Sequence, residues 1–217
     1  MIEPFVTLRG VAVPLDRNNV DTDAVIPARF LKTVKRTGLG AGLFYAWRFD
    51  ADGNELPDFP LNRPPYRNGK ILVTGDNFGC GSSREHAVWA LLDFGIRAVI
   101  APSFSDIFAG NALKNGLLPV SLPSGEVRRL LARLTESPGG AVLVDLPAQT
   151  VTGPDGAICR FEIGSFAKEC LLNGLDETAL TLRHEAEIAR YEREGKRARP
   201  WLFTDLRPVP SETDRPS

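Results

Sequence analysis

The strongest constraint on this chain lies in its middle third. There, three short apolar runs alternate with two helical patterns. Residues 71–74 (ILVT), 98–101 (AVIA) and 117–120 (LLPV) read as buried strands. Residues 83–94 and 105–115 read as helices, the first apolar nearly all round after His86, the second stopped by Asn115-Gly116. A βαβαβ order demands parallel strands joined by right-handed crossovers. Open sheets of this class bind ligands outside the carboxyl ends of their strands. The first such end carries residues 75–87, GDNFGCGSSREHA.

That string has a definite chemistry. Gly75, Gly79 and Gly81 permit positive φ and a close backbone approach. The following helix start offers free N–H groups and the positive end of a dipole. Arg84 presents a planar fork that fits a carboxylate in two parallel hydrogen bonds. A phosphate loop would need Lys then Ser or Thr after the last glycine, where Ser82-Ser83-Arg84 stands instead. The dinucleotide pattern would need glycine at position 84, and no GxSxG nucleophile elbow exists. From spacing, Ser82 has two compatible readings, a capping box with Glu85 or a catalytic hydroxyl. His86 reads as a packed helix residue, and Cys80, between two glycines, as inert.

The flanks fill out the architecture. Residues 5–13 form a β-prone run closed by Pro14, and 16–23 a polar turn. Residues 28–49 suit a mobile loop between anchored ends, and 50–68, rich in Pro, Asp and Asn, an irregular surface segment. A helix is expected at 126–135 and a strand at 141–145. Residues 150–151 and 159–163 flank a hairpin turn at 153–156, giving an antiparallel layer. A short helix spans 166–173, and Asp176 caps a charged helix to about 194, with Gly195 as its stop. The expected division is a sheet domain over 1–165, a helical extension over 166–206 and a disordered tail over 207–217.

Composition narrows the partners. A net charge of -1 over 217 residues gives no electrostatic case for nucleic acid. No apolar run approaches the roughly 18–20 residues that cross a bilayer, so no membrane partner is expected. The start, MIEPFVTLRG, lacks a basic segment followed by an apolar one, and the three cysteines are odd in number and widely spaced. Both point to a reducing, cytoplasmic setting. With two histidines and no CxxC or HExxH spacing, no metal site is expected on this chain.

The string GDNFGCGSSREHAVWAL, followed by SFSDIFAGNALKNGLLPV, resembles the swivel domain of the aconitase family. Within that family it is most similar to the bacterial small subunits of 3-isopropylmalate dehydratase. Four further stretches carry the likeness: NVDTDAVIPARFL (19–31), KRTGLG (35–40), KECLLNGLDETALTL (168–182) and PWL (200–202). The resemblance covers nearly the whole chain. It implies a mixed α/β swivel domain, β/β/α in layout. It also implies a large-subunit partner that carries a [4Fe-4S] cluster, and a small hydroxy-dicarboxylate substrate. The implied reaction dehydrates 2-isopropylmalate and rehydrates the product at the neighbouring carbon, a step in leucine biosynthesis. Ser82 is then the base, Arg84 the carboxylate ligand and Ser83 a neighbouring contact. A second carboxylate-binding arginine, found upstream in such enzymes, has no motif match here, and Arg17 matches poorly. The stretch 30–44 resembles a substrate-recognition loop. Leu31, Val34 and Leu39 would wall an isopropyl group, whereas Lys32, Lys35 and Arg36 would suit a more anionic substrate. Two rival readings remain: a related hydro-lyase small subunit (methylmalate, homoaconitate or dimethylmaleate type), or a non-catalytic anion- or nucleotide-binding module. For 30–44 the rival is a merely flexible surface loop.

Overall fold

The computed structural model describes residues 2–203; the expected tail at 207–217 lies outside them. The chain up to Asp176 forms one compact unit, and a second unit begins at Glu177.

The first unit is built on a seven-stranded sheet. In chain order the strands are β1 (Thr7–Leu15), β2 (Ile71–Thr74), β3 (Ala98–Ala101), β4 (Leu118–Ser121), β5 (Ala141–Asp145), β6 (Thr150–Thr152) and β7 (Ile158–Arg160). Their spatial order is β4-β3-β2-β1-β5-β6-β7. Strands β4, β3, β2 and β1 are parallel, and β1, β5, β6 and β7 are antiparallel. The parallel βαβαβ core and the antiparallel strands are thus joined through β1. Its first half, Thr7 to Val11, pairs with β5, and its second half, Ala12 to Leu15, pairs with β2. This explains why the strand runs through Pro14, where a stop was expected. Past Val11 one side of β1 carries no ladder, and a missing N–H is tolerated at such an edge.

Two short helices, α1 (Thr22–Val25) and α2 (Tyr45–Arg48), were not expected, and α2 with fully buried Leu43 and Phe44 anchors the end of the stretch read as a mobile loop. The next four follow the sequence closely: α3 (Glu85–Phe94), α4 (Asp106–Asn115), α5 (Ser124–Glu136) and α6 (Ser165–Asn173). Strand alternation divides the core between the two faces of the sheet. Leu72 and Val99 meet Val88 and Leu91 of α3 and Phe108 and Ala112 of α4. Ile71, Val73, Ala98 and Ile100 meet Val127, Leu131 and Leu134 of α5 and Leu171 of α6. Removing such fully buried aliphatic side chains from water is worth roughly 1.5–3 kcal/mol each. Leu171 also accepts a backbone hydrogen bond from Phe5, so α6 packs on the sheet unit.

Two further expectations fail. Residues 50–68 are not a plain surface segment, because Phe59, Leu61 and Tyr66 are buried in the core. Buried Asn62 makes this possible. Its amide donates to the carbonyls of Arg48 and Leu56, at 2.6 and 2.9 Å, and its oxygen accepts from Arg48 Nε. Prolines at two 3-10 turns, Pro60–Asn62 and Pro64–Tyr66, fix the backbone around it. The second failure lies in the other unit, where two helices stand in place of one: α7 (Glu177–Leu182) and α8 (Glu185–Ala198). Gly195 is not the stop. It lies within α8, where a Cβ would come 3.0 Å from the Phe203 ring. The helix ends instead at Arg199, the residue before Pro200, a position that disfavours helical backbone.

Candidate active site

Strand β2 ends at Thr74, and the chain then loops to α3. Along this loop Asn77, Gly79 and Gly81 adopt positive φ of 57°, 74° and 85°. The alternation folds the backbone tightly, and both flanks hold it. On one side Gly75 N–H donates to the Arg17 carbonyl (3.0 Å), Gly79 N–H to Val20 (2.8 Å) and Asn19 N–H to Asp76 (2.8 Å). On the other, Phe78 N–H donates to Ser103, and the Ser105 hydroxyl to the Gly79 carbonyl at 2.6 Å. The Phe78 ring is fully buried, edge-on to Phe104 and Phe108. Two glycines are sterically required. A Cβ at Gly75 would lie 2.1 Å from Asn18 Oδ1, and one at Gly79 2.3 Å from the Phe108 ring.

This clamped loop raises Ser82, Ser83 and Arg84 at the end of the sheet. Ser82 and Ser83 are exposed and Arg84 is half-buried. The Ser82 carbonyl accepts from Thr22 Oγ1 at 2.8 Å, which fixes its backbone. Its hydroxyl has no hydrogen-bond partner among the described residues. The capping reading of Ser82 is therefore corrected. Helix α3 starts at Glu85, two residues later than expected, because Arg84 is extended (φ -131°, ψ 102°) and occupies the cap position itself. Glu85 does not reach back to Ser82; it accepts from Asn115 Nδ2 at 2.7 Å. The Arg84 guanidinium pairs through one terminal nitrogen with Asp23 of α1.

The loop at 31–39 comes to the same helix. His86 Nε2 lies 2.9 Å from the Thr33 carbonyl, and the Arg36 guanidinium sits 5.2 Å from the Trp89 ring centre. Gly40 N–H donates to Asp93 Oδ2 at 2.7 Å, closing the loop against the far end of α3. Of the expected apolar wall, Leu31 is half-buried and Val34 is 94% exposed. Leu39 is buried in the core, so its side chain faces the protein interior. Lys32 and Arg36 are exposed.

Sequence reasoning missed Asp23 as the partner of Arg84, and Asn18, Asn19 and Thr22 as fasteners of the glycine loop. The signal was present in the polar run 16–23, but the pairing crosses about sixty residues and needs the sheet to form. Arg17 stacks its guanidinium 4.4 Å from the Trp47 ring centre, and its carbonyl holds both Gly75 N–H and Thr74 Oγ1. It lines a cavity of about 370 Å3 with Asp16, Trp47, Asp58 and Phe59. Cys80, Cys159 and Cys170 are not joined in disulfides. Burial, and then the Glu126 carboxylate, pushes the Cys159 thiol above its ordinary range. Among the described residues no group of three or more His, Cys, Asp or Glu side chains is placed to hold a metal ion, and no helix is long and apolar enough to cross a membrane.

Residues 2–125 match the model of the aconitase C-terminal domain, and residues 177–205 match that of the C-terminal domain of the 3-isopropylmalate dehydratase small subunit. The chain is 57% identical to the 3-isopropylmalate dehydratase small subunits of Parvibaculum lavamentivorans and of a Jannaschia species, over 93% of this chain and the full length of each relative. A solved structure of the 3-isopropylmalate dehydratase protein from Methanocaldococcus jannaschii superposes with a TM-score of 0.64 at 30% identity, covering 85% of this chain and 99% of that one. The glycine-clamped loop and the polar run that holds it thus lie within the matched aconitase domain, and the chain belongs to the family of 3-isopropylmalate dehydratase small subunits.

Proposed function

We propose that this chain supplies half of the active site of a 3-isopropylmalate dehydratase and works only when joined to a large subunit. The observation that carries the reading is the pairing of an uncommitted, exposed Ser82 hydroxyl with an arginine fork two residues on, itself oriented by Asp23. Arg84 binds a substrate carboxylate through the part of its guanidinium that Asp23 leaves open. Ser82, as its alkoxide, removes the proton from the carbon beside that carboxylate. The double bond forms as hydroxide leaves the adjacent carbon, giving isopropylmaleate. Water returns with the positions exchanged, and Ser82 gives its proton back. A serine hydroxyl is a very weak acid, so the alkoxide needs Arg84 nearby and a site closed to water by the partner.

In this reading a [4Fe-4S] cluster on the large subunit supplies a Lewis acid for the hydroxyl group. The three thiols of this chain are not grouped for that task. The substrate is a small hydroxy-dicarboxylate in leucine biosynthesis, and the setting is the cytoplasm. Val34, exposed, and the half-buried Leu31 are left as apolar neighbours for the isopropyl group, because Leu39 points into the core. The test is co-expression with a candidate large subunit and assay of the purified complex on a panel of hydroxy-diacids. Turnover of 2-isopropylmalate by the complex, and none by this chain alone, is expected. A methylmalate kcat/KM far above that for isopropylmalate would overturn the substrate assignment.

A further inference from the structure

The geometry points to His86 as a positioning residue that latches the recognition loop in register with Ser82 and Arg84. The Thr33 carbonyl can only accept, so the 2.9 Å contact requires the proton on Nε2 of His86. The imidazole does not hang free. Its ring packs on Trp89 at 4.7 Å between centres, and Arg36, from the same loop as Thr33, covers Trp89 as well. Trp89 is held in turn, because its Nε1–H donates to Asn115 Oδ1 at 2.9 Å. Asn115, buried at the end of α4, donates to Glu85 Oε1 and to the Asn111 carbonyl. Its amide therefore has a satisfied partner on each side.

The result is a chain of fixed contacts from α4 through Trp89 to two points of the loop, Thr33 and Arg36. The histidine stands two residues after Arg84, on the first turn of the same helix. A shift of that turn moves the arginine fork and the loop together. The latch grips backbone at Thr33, leaving the exposed side chains of Lys32 and Val34 free to meet a substrate. This assignment rests on the functional reading above for its kinetic consequence, but the latch itself is a property of this chain.

Two measurements test it. In the isolated full-length chain, amide hydrogen exchange at Leu31 and Lys35 is compared between wild type, His86→Leu and His86→Gln, with amides of β2 and β3 as the fold control. His86→Leu is expected to speed loop exchange about tenfold while the control stays slow, and His86→Gln, which keeps a donor, restores it. Unchanged loop exchange in His86→Leu overturns the latch. If His86→Leu speeds the control amides too, Arg36→Gln decides, since it removes a loop contact from the surface: faster loop exchange sustains the latch and none overturns it. In the complex with the large subunit, His86→Leu is expected to raise KM for 2-isopropylmalate about tenfold with kcat within twofold, and His86→Gln to return KM close to wild type. A fall in kcat at constant KM overturns the positioning role. A wild-type complex inactive on 2-isopropylmalate removes the functional reading instead, and the exchange result still decides the latch.

Discussion

Arg84, at the N-terminal cap of α3, is ion-paired with Asp23 of α1, 61 residues earlier in the chain. The pair joins the polar run 16–23 to the glycine loop at the point where chemistry is proposed. The arginine side chain is only 18% exposed, so its direction is set by the surrounding fold. Arg84→Lys keeps the charge and loses the fork. It is expected to lower kcat/KM of the assembled enzyme by about 10- to 100-fold, the worth of one charge-assisted hydrogen bond. Asp23→Asn leaves the fork present but less firmly aimed, so a smaller loss, mainly in KM, is expected. Steady-state kinetics of both variants checks this, and an Arg84→Lys enzyme with wild-type kcat/KM would remove Arg84 from the site.

Ser82→Ala separates chemistry from stability. Among the described residues the hydroxyl holds nothing, so its loss is expected to change unfolding free energy by less than about 0.5 kcal/mol. Loss of a proton-transfer group is expected to lower kcat by about 100- to 10,000-fold. Ser83→Ala, which removes only a neighbouring contact, is expected to act chiefly on KM. Thermal unfolding of the chain and single-turnover assay of the complex measure the two effects. Normal turnover by Ser82→Ala would end the proposed base role.

Much of the fold around this candidate site was legible in the sequence. Three apolar runs with two helical patterns between them require the parallel core, and the motif after the first run falls at the carboxyl end of β2, where open sheets of this class place their ligand sites. The chemistry within the motif was less legible. Ser82 and Glu85 have the spacing of a capping box, yet Arg84 is extended and Asn115 draws Glu85 away. Local spacing cannot register a competitor 30 residues distant. Leu39 illustrates the same limit. A leucine beside two glycines in a basic loop reads as displayed, but Gly40 is anchored to Asp93, and that turns Leu39 into the core. Residues 50–68 misled for a compositional reason, since prolines and polar residues outnumber the three apolar side chains that are buried. Asn62 resolves the burial by satisfying backbone groups, and composition does not reveal hydrogen bonding.

The glycine clamp gives a stability prediction with an internal control. Gly79 and Gly81 share nearly the same positive φ, 74° and 85°. Alanine at either position costs about 1–2 kcal/mol for left-handed backbone. At Gly79 the new Cβ also meets the Phe108 ring at 2.3 Å, whereas at Gly81 the nearest atom is Asp21 Cβ at 3.4 Å. Overpacking a well-filled site adds about 1–3 kcal/mol. Urea unfolding should therefore find Gly79→Ala less stable than Gly81→Ala by that second amount. Equal losses would mean that the Phe108 contact relaxes without cost.

The segment that carries Phe59, Leu61 and Tyr66 into the core should be the acid-sensitive part of the sheet unit. Glu55 and Arg67 form a forked pair across it, and the Arg67 hydrogen bond is the first cause holding the Glu55 carboxyl below its ordinary value of 4.5. Asp50 is also lowered, first by the Asn54 backbone N–H and then by its side-chain amide. For a carboxyl depressed on folding, the stabilisation is complete above the unfolded value and is lost as pH falls through the folded value. Stability of wild type should therefore decline as pH drops below about 4.5, within the window these two groups set. Gln at position 55 does not titrate, so the stability curve of Glu55→Gln should fall less steeply there and approach the wild-type curve at the acid end. Both carboxylates are exposed, so the effect should shrink as salt is added. Trp47, stacked on Phe44 within the same neighbourhood, gives a fluorescence report of the transition. Matching slopes for wild type and Glu55→Gln between neutral pH and the acid limit would show that the Glu55–Arg67 pair does not hold this segment.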